Sequence, residues 1–170
     1  MDQLKPCKTK LAEIEDDIED IYDSIDYHMD KFEYLENQSR RNNIRIDGIL
    51  EEENESRETT EEKVKKVLAE KLNPEEALHV ERAHLVGRVV SGSRRRPRTI
   101  VSKLRDFKKK EQILKMTRRI EPVGLYLNED LAKETLDKRE EQRPKLEEAK
   151  RNGKVAYFVL DKLILQDRRG

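Results

Sequence analysis

The chain has 170 residues, 44% of them Asp, Glu, Lys or Arg and 34% apolar, and its 37 basic side chains are balanced by 37 acidic ones. An ordinary soluble domain carries about a quarter charged residues, so this composition excludes one large globule with a continuous apolar core and points to long solvated helices, a polyelectrolyte-binding surface, or both. No apolar run of about 18 residues and no charged-then-apolar leader is present, so a soluble intracellular chain is expected, and one cysteine, Cys7, with three scattered histidines leaves no disulfide framework and no zinc spacing.

The neutral total conceals an asymmetry. Residues 1–36 hold 4 basic and 12 acidic side chains, residues 37–128 hold 22 and 15, and residues 129–170 hold 11 and 10. Between Arg82 and Arg119 stand 14 basic residues against only Asp106 and Glu111. Such density raises a local positive potential that holds a phosphate backbone although the whole chain is neutral.

In the first segment apolar residues recur in alternating steps of three and four. With Leu4 at a, the a positions are Leu11, Ile18, Ile25 and Phe32, and the d positions are Cys7, Ile14, Ile21, His28 and Leu35. This is a heptad seam, narrower than the stripe of a core helix, and it predicts a coiled coil over residues 1–41. Ile at both a and d shifts a parallel coil from two strands toward three or four, so a homotrimer is expected. Lys10 then faces Glu15, and Lys31 faces Glu36, of a neighbouring helix. His28 is the polar layer that fixes register, or, on a sharper reading, a pH-sensitive one. The alternative is a helix packed on its own globular domain.

The pattern breaks in the polar stretch 37–42, which predicts a hinge or a tapering helix end. Residues 43–49 then alternate with period two, as a strand does. Thr59 and Glu62 form a capping-box pattern ahead of Val64, Val67, Leu68 and Leu72, a helix ending near Asn73-Pro74. Residues 78–86 and 99–104 read as strands; Asp106 caps a second helix bearing Phe107, Ile113 and Leu114; residues 123–127 supply a fourth strand. Strand, helix, strand, strand, helix, strand is the split βαβ order, an antiparallel sheet with two helices on one face. Among its users is the RNA-recognition fold, whose central strands stack bases on aromatic side chains. Residues 44–49 follow its first-strand pattern with Arg45 in the usual aromatic place, and the third strand lacks the expected glycine and aromatics. A cationic surface replaces stacking: Arg94, Arg95, Arg96 and Arg98 at the mouth of the third strand, then Lys103, Arg105, Lys115, Arg118 and Arg119. Phosphate recognition by such residues is sequence-independent and salt-dependent.

Asn128 is placed to cap a helix through Leu131 and Leu136 that Pro144 kinks or restarts, and Asn152-Gly153 stops it. Residues 155–160 and 163–165 flank Asp161-Lys162 as a hairpin. Residues 129–170 thus form a small helix-and-hairpin lobe beside the domain at 42–128, and its Lys138 and Arg139 extend the basic groove. The fold class is α+β.

The junction Leu35-Glu36-Asn37-Gln38-Ser39-Arg40-Arg41-Asn42-Asn43-Ile44-Arg45-Ile46-Asp47-Gly48, with Arg96-Pro97-Arg98-Thr99-Ile100-Val101 and Glu134-Thr135-Leu136-Asp137-Lys138-Arg139, resembles the first-open-reading-frame protein of LINE-type retrotransposons and its domesticated relatives in the transposase-22 family. The likeness runs over nearly the whole chain in the family's order. It implies a homotrimer that coats single-stranded RNA, also binds DNA, and acts as a nucleic-acid chaperone in a cytoplasmic ribonucleoprotein, with the nucleus left open as a second location. Lys31-Phe32-Glu33-Tyr34-Leu35-Glu36 is similar to a parallel-trimer motif, basic-apolar-x-x-apolar-Glu, with Lys where Arg is usual. By motif the family's RNA-contacting residues fall on Arg98, Lys115 and Arg139, and Tyr157 resembles a functional tyrosine of its C-terminal domain. The coil and the C-terminal segment are shorter than the family's, which implies a fragment or a divergent element.

The expected function is sequence-tolerant binding of single-stranded RNA or DNA by a homotrimer, without catalysis, cofactor, metal, membrane or small-molecule substrate. Two other classes remain: a structural oligomeriser whose middle domain binds protein, and a nuclease using Asp47, Asp106 or the Glu51-Glu52-Glu53 run, whose carboxylates lack a metal-binding spacing.

Overall fold

The computed structural model describes residues 4–52, 54–72, 78–88, 97–120 and 124–167. It is α+β, with a long amino-terminal helix, a four-stranded antiparallel sheet, further helices and a two-stranded hairpin. Two compact units divide it, Met1–Glu36 and Asn37–Gly170. No helix among the described residues is long and apolar enough to cross a membrane.

Helix α1 spans Leu4–Arg40. The three-four spacing gathers Leu11, Ile14, Ile18, Ile21, Ile25, Phe32 and Leu35 into one stripe, and each of them is between 46% and 72% exposed in the single chain. The helix ends at Arg40, within the polar stretch 37–42, and Asn37 has tertiary partners inside the second unit. Its Nδ2 donates to Thr135 Oγ1 at 2.7 Å, and its Oδ1 accepts the Ala132 N–H at 2.9 Å.

The second unit is built on strands β1 (Asn43–Asp47), β2 (Val80–Val86), β3 (Thr99–Leu104) and β4 (Tyr126–Glu129), in the spatial order β2-β3-β1-β4 with every neighbour antiparallel. Helix α2 (Arg57–Leu72) connects β1 to β2, and α3 (Phe107–Ile120) connects β3 to β4. Strand alternation sends Ile44, Ile46, Ile100 and Leu104 inward, where they meet Val64, Leu68 and Leu72 of α2 and Ile113 and Leu114 of α3 in one core. The cap of α2 is not Thr59: Ser56 Oγ accepts the Thr59 N–H at 3.2 Å and the helix starts at Arg57, so the Ser56 hydroxyl satisfies an otherwise orphaned donor. At α3, Asp106 Oδ1 accepts the Lys108 N–H at 2.8 Å, as its position predicts.

The connection from β1 to α2 is held by ion pairs. Lys63 Nζ reaches Glu55 at 2.6 Å, Glu52 at 3.1 Å and the Leu50 carbonyl at 3.1 Å. Burial opposes the charge on Glu55, but hydrogen bonds from the Glu52 N–H, Lys63 and Thr60 outweigh it and hold the carboxyl below the usual glutamate value. A folded pKa below the unfolded one gives stability that is present above about pH 4.3 and lost as pH falls through the folded value. For Lys63 burial again opposes the charge, and Glu55 and Glu52 raise its pKa, so its contribution is full below about pH 10.4 and is lost only above that. Wild-type Tm should therefore fall below about pH 4 more steeply than that of Glu55→Gln. Identical acid limbs in calorimetry would contradict this role.

Strand β4 lies further along the chain than the sequence predicts, and Asn128 is inside it, paired with Arg45. It does not cap the next helix. Helix α4 spans Lys133–Arg151 with Ala132 at its N-cap and no side-chain cap; the Ala132 N–H is satisfied from a distance by Asn37. Nor does Pro144 restart it, since α4 is a single helix with Pro144 inside. It stops at Asn152-Gly153, where Gly153 has φ 76° and the Gly153 and Lys154 N–H groups return to the Lys150 and Ala149 carbonyls. Strands β5 (Val155–Val159) and β6 (Lys162–Gln166) pair through a Leu160-Asp161 turn, one residue before the expected one. Two side chains of α4 hold that turn: Arg139 Nε donates to the Leu160 carbonyl, and Gln142 Nε2 to the Asp161 carbonyl at 2.8 Å.

Candidate nucleic-acid interface

The register that buries Ile44 and Ile46 turns their neighbours to the sheet face opposite α2 and α3. Across that face Arg45 stands between Val101 and Asn128, and Val101 also pairs with His84. One row on, Arg82 faces Lys103, which faces Asn43; in the other direction Asp47 faces Tyr126. Tyr126 is 65% exposed, Arg82 and Asn128 are exposed, and Arg45, His84 and Lys103 are half-buried. A planar aromatic ring and three cations therefore share one face, whose inner positions Val101 and Asn43 are buried. Sequence reading identified Arg45 and Lys103 but missed Arg82, His84 and Tyr126. Their signal is parity: once Arg45 points outward, the antiparallel register assigns the same face to every second residue of its partners.

Each cation has a distinct environment. Arg45 lies 3.7 Å from Asp130, a buried carboxylate that also takes Arg40 at 3.3 Å and the Asn43 Nδ2 at 3.0 Å. Lys103 Nζ is 2.6 Å from Glu81, which lies at the bulge in β2 between Val80 and Arg82. The Lys103 hydrogen bond, outweighing burial, and the charges of Lys103, Arg105 and Arg82 hold the Glu81 carboxyl below its ordinary value. Lys103 is thus paired with Glu81, and Arg82 and Arg105 add positive potential at the same carboxylate.

Not every nominated residue joins them. Arg98 forms a two-pronged pair with Glu51, its Nε 3.1 Å from both carboxylate oxygens, and the hydrogen bond to Glu51, against the opposing effect of burial, raises the guanidinium pKa further. Its charge ties the loop after β1 to the start of β3. Lys115 and Arg118 are exposed on α3, on the other side of the sheet from Arg45 and Lys103. Arg139 is drawn into packing: besides Leu160 it reaches Glu129 at 3.3 Å and lies 5.5 Å from the Phe158 ring centroid, joining α4, β4 and the hairpin. Lys138 is half-buried on α4 beside it, and Tyr157 is exposed on β5. Arg94, Arg95 and Arg96 lie outside the described residues, as does the side chain of Arg119.

In α1, Lys31 Nζ is 5.6 Å from the Tyr34 ring centroid and His28 meets Tyr27 edge to face at 5.5 Å. The carboxylates weighed for metal-assisted chemistry have local partners: Asp47 accepts from the Thr99 hydroxyl, Asp106 caps α3, and Glu51 holds Arg98. Among the described residues no group of three or more His, Cys, Asp or Glu is placed to hold a metal.

No protein-family model matches the chain, and no curated protein sequence matches it.

Proposed function

We propose that this chain binds single-stranded nucleic acid, RNA foremost and DNA as well, without catalysing a reaction. In this reading the sheet is an RNA-recognition-type platform and α1 packs with two further copies in a parallel coiled coil. The assembly is a nucleic-acid chaperone of retrotransposon ribonucleoproteins. The observation that carries the binding claim is that the sheet face opposite α2 and α3 carries Arg45, Arg82 and Lys103 together with Tyr126, which is exposed on the edge strand β4. Cations grip phosphates whatever the sequence, and ring faces are offered to bases that are unpaired. Assembly is supported by the exposed Ile14, Ile18, Ile21 and Ile25 of α1, because isoleucine at both seam positions favours more than two strands. Three weak interfaces on one coil then act as one, since the second and third contacts to a long strand are intramolecular.

The reading is tested by titrating labelled single-stranded RNA at several salt concentrations. With about five phosphates neutralised per protomer, log affinity should fall against log salt with a slope of about −3.5 per protomer, and Arg82→Gln should reduce that magnitude by about 0.7 while assembly is unchanged. A salt-independent affinity, or an assembled protein that shifts no RNA, would contradict it and favour a structural oligomeriser whose sheet domain binds protein.

A further inference from the structure

We infer that the cleft at the carboxyl end of β3 is a subsite for one nucleoside phosphate unit, with the base against Phe107 and the phosphate among Arg41, Arg105 and Lys109. It rests on the nucleic-acid reading and adds a place and a chemistry to it. The cleft has a volume of about 460 Å³, within the range of small-ligand sites. Its lining combines two chemistries that a merely solvated basic surface lacks together. Phe107 and half-buried Leu78 give an apolar wall backed by the core residue Leu104, and Arg41, Arg105, Lys109 and His79 supply positive or proton-donating groups. The one carboxylate in the lining, Asp106, accepts the Lys108 N–H as the helix cap.

The walls are tied together. Leu104 N–H donates to the Asn42 carbonyl at 2.9 Å and Arg105 N–H to the His79 carbonyl at 3.0 Å, so the three segments that meet here hold one another. Phe107 is 46% exposed, yet its ring has a fixed neighbour: Lys110 Nζ lies 5.5 Å from the centroid and donates to the Arg41 carbonyl at 2.9 Å. A positioned aromatic face beside cations suits a planar base carrying a phosphate, since stacking tolerates any base and the cations take the anion. A bare anion would leave the apolar wall unused, and an apolar ligand would leave the cations unused. The cleft lies at the end of β3 that follows Lys103, and Thr99, in the row of Tyr126, is at the other end of that strand, about 17 Å away at strand rise. The same nucleotide chemistry comes from two sources, a residue of a bound strand or a free mononucleotide.

The test uses the full chain, uridine 5′-monophosphate, uridine, inorganic phosphate and a ten-residue oligouridine. The monophosphate should shift the amide resonances of Asn42, His79, Arg105 and Phe107, while uridine or phosphate alone shifts them less. Phe107→Ala should weaken oligouridine binding roughly tenfold with an unchanged salt slope, and Phe107→Tyr should restore it. Arg105→Gln should weaken binding and make the slope less negative by about 0.7. Displacement of the monophosphate by oligouridine assigns the cleft to a bound strand, and simultaneous binding assigns it to a free nucleotide; both support the subsite. Unmoved cleft resonances with wild-type oligouridine affinity in Phe107→Ala overturn the subsite and leave the nucleic-acid reading standing. A wild-type chain that binds no oligouridine overturns both.

Discussion

Replacing Ile18 and Ile21 together by aspartate is expected to turn the proposed trimer into a monomer and to weaken binding to a long single strand by about 10² to 10⁴, with little change for a short oligonucleotide. Both side chains lie in the first unit and are 46% and 57% exposed in the single chain, so the core of the second unit loses nothing by the change. In a parallel assembly they occupy successive a and d layers, and each layer would bury three carboxylates without partners, which is prohibitive. The contrast between long and short strands separates lost avidity from local damage. Equal affinity of wild type and variant for a long strand would show that assembly through α1 has no part in binding.

Gly48→Ala should be the most destabilising small substitution in the second unit, costing about 3 kcal/mol, from roughly 1 kcal/mol of backbone strain and the rest from overlap. Gly48 has φ 99°, and a Cβ there would stand 1.8 Å from the Gly124 carbonyl oxygen. That neighbour is backbone, at the approach to β4, and it cannot swing away as a side chain can. Relieving the overlap would part the end of β1 from the start of β4, where Asp47 and Tyr126 pair, and so disturb the face that carries Tyr126. Gly124→Ala is the control: φ is 76° but no atom lies within 4 Å of the added carbon, so only the strain of about 1 kcal/mol remains. Against a typical stability of 5 to 15 kcal/mol, the first change should lower Tm by about 10 °C or more and the second by a few degrees. Equal shifts for both would mean that the contact between Gly48 and Gly124 does not form.

What could be read from the sequence was what repeats locally. Alternation in β1 and β3 and the apolar face of α2 are properties of neighbouring residues, and they point to the topology of the sheet because short connections leave few ways to arrange four strands and two helices. The misreadings occurred where distant residues decide. Asn128 has the chemistry of a helix cap, but the ladder with Arg45 claims its backbone, and Asn37, 95 residues away from Ala132, serves the start of α4 instead. Pro144 lowers local helix propensity, yet the helix does not restart there, and α4 is held by Asn37 on Thr135, by Arg139 on Glu129 and by Gln142 on the hairpin turn. The same limit governs the interface. Carboxylate partners come from distant parts of the chain and leave no local signal: Arg98 meets Glu51, Arg139 meets Glu129, Arg45 meets Asp130 and Lys103 meets Glu81. Arg82 and Tyr126, 44 residues apart in the chain, share a face only through the registers of three strand pairs. Basic density along a chain therefore overstates basic density on a surface.

The central claim is that several interfaces, joined through α1, grip the same polynucleotide. Sedimentation equilibrium of the full chain with one equivalent of a labelled forty-residue oligouridine per three chains, at low ionic strength, tests it most directly. The expected protein mass is about 61 kDa, three times 20.2 kDa, carrying one labelled strand. A protein mass of 20.2 kDa, whether or not the strand is bound, would contradict it.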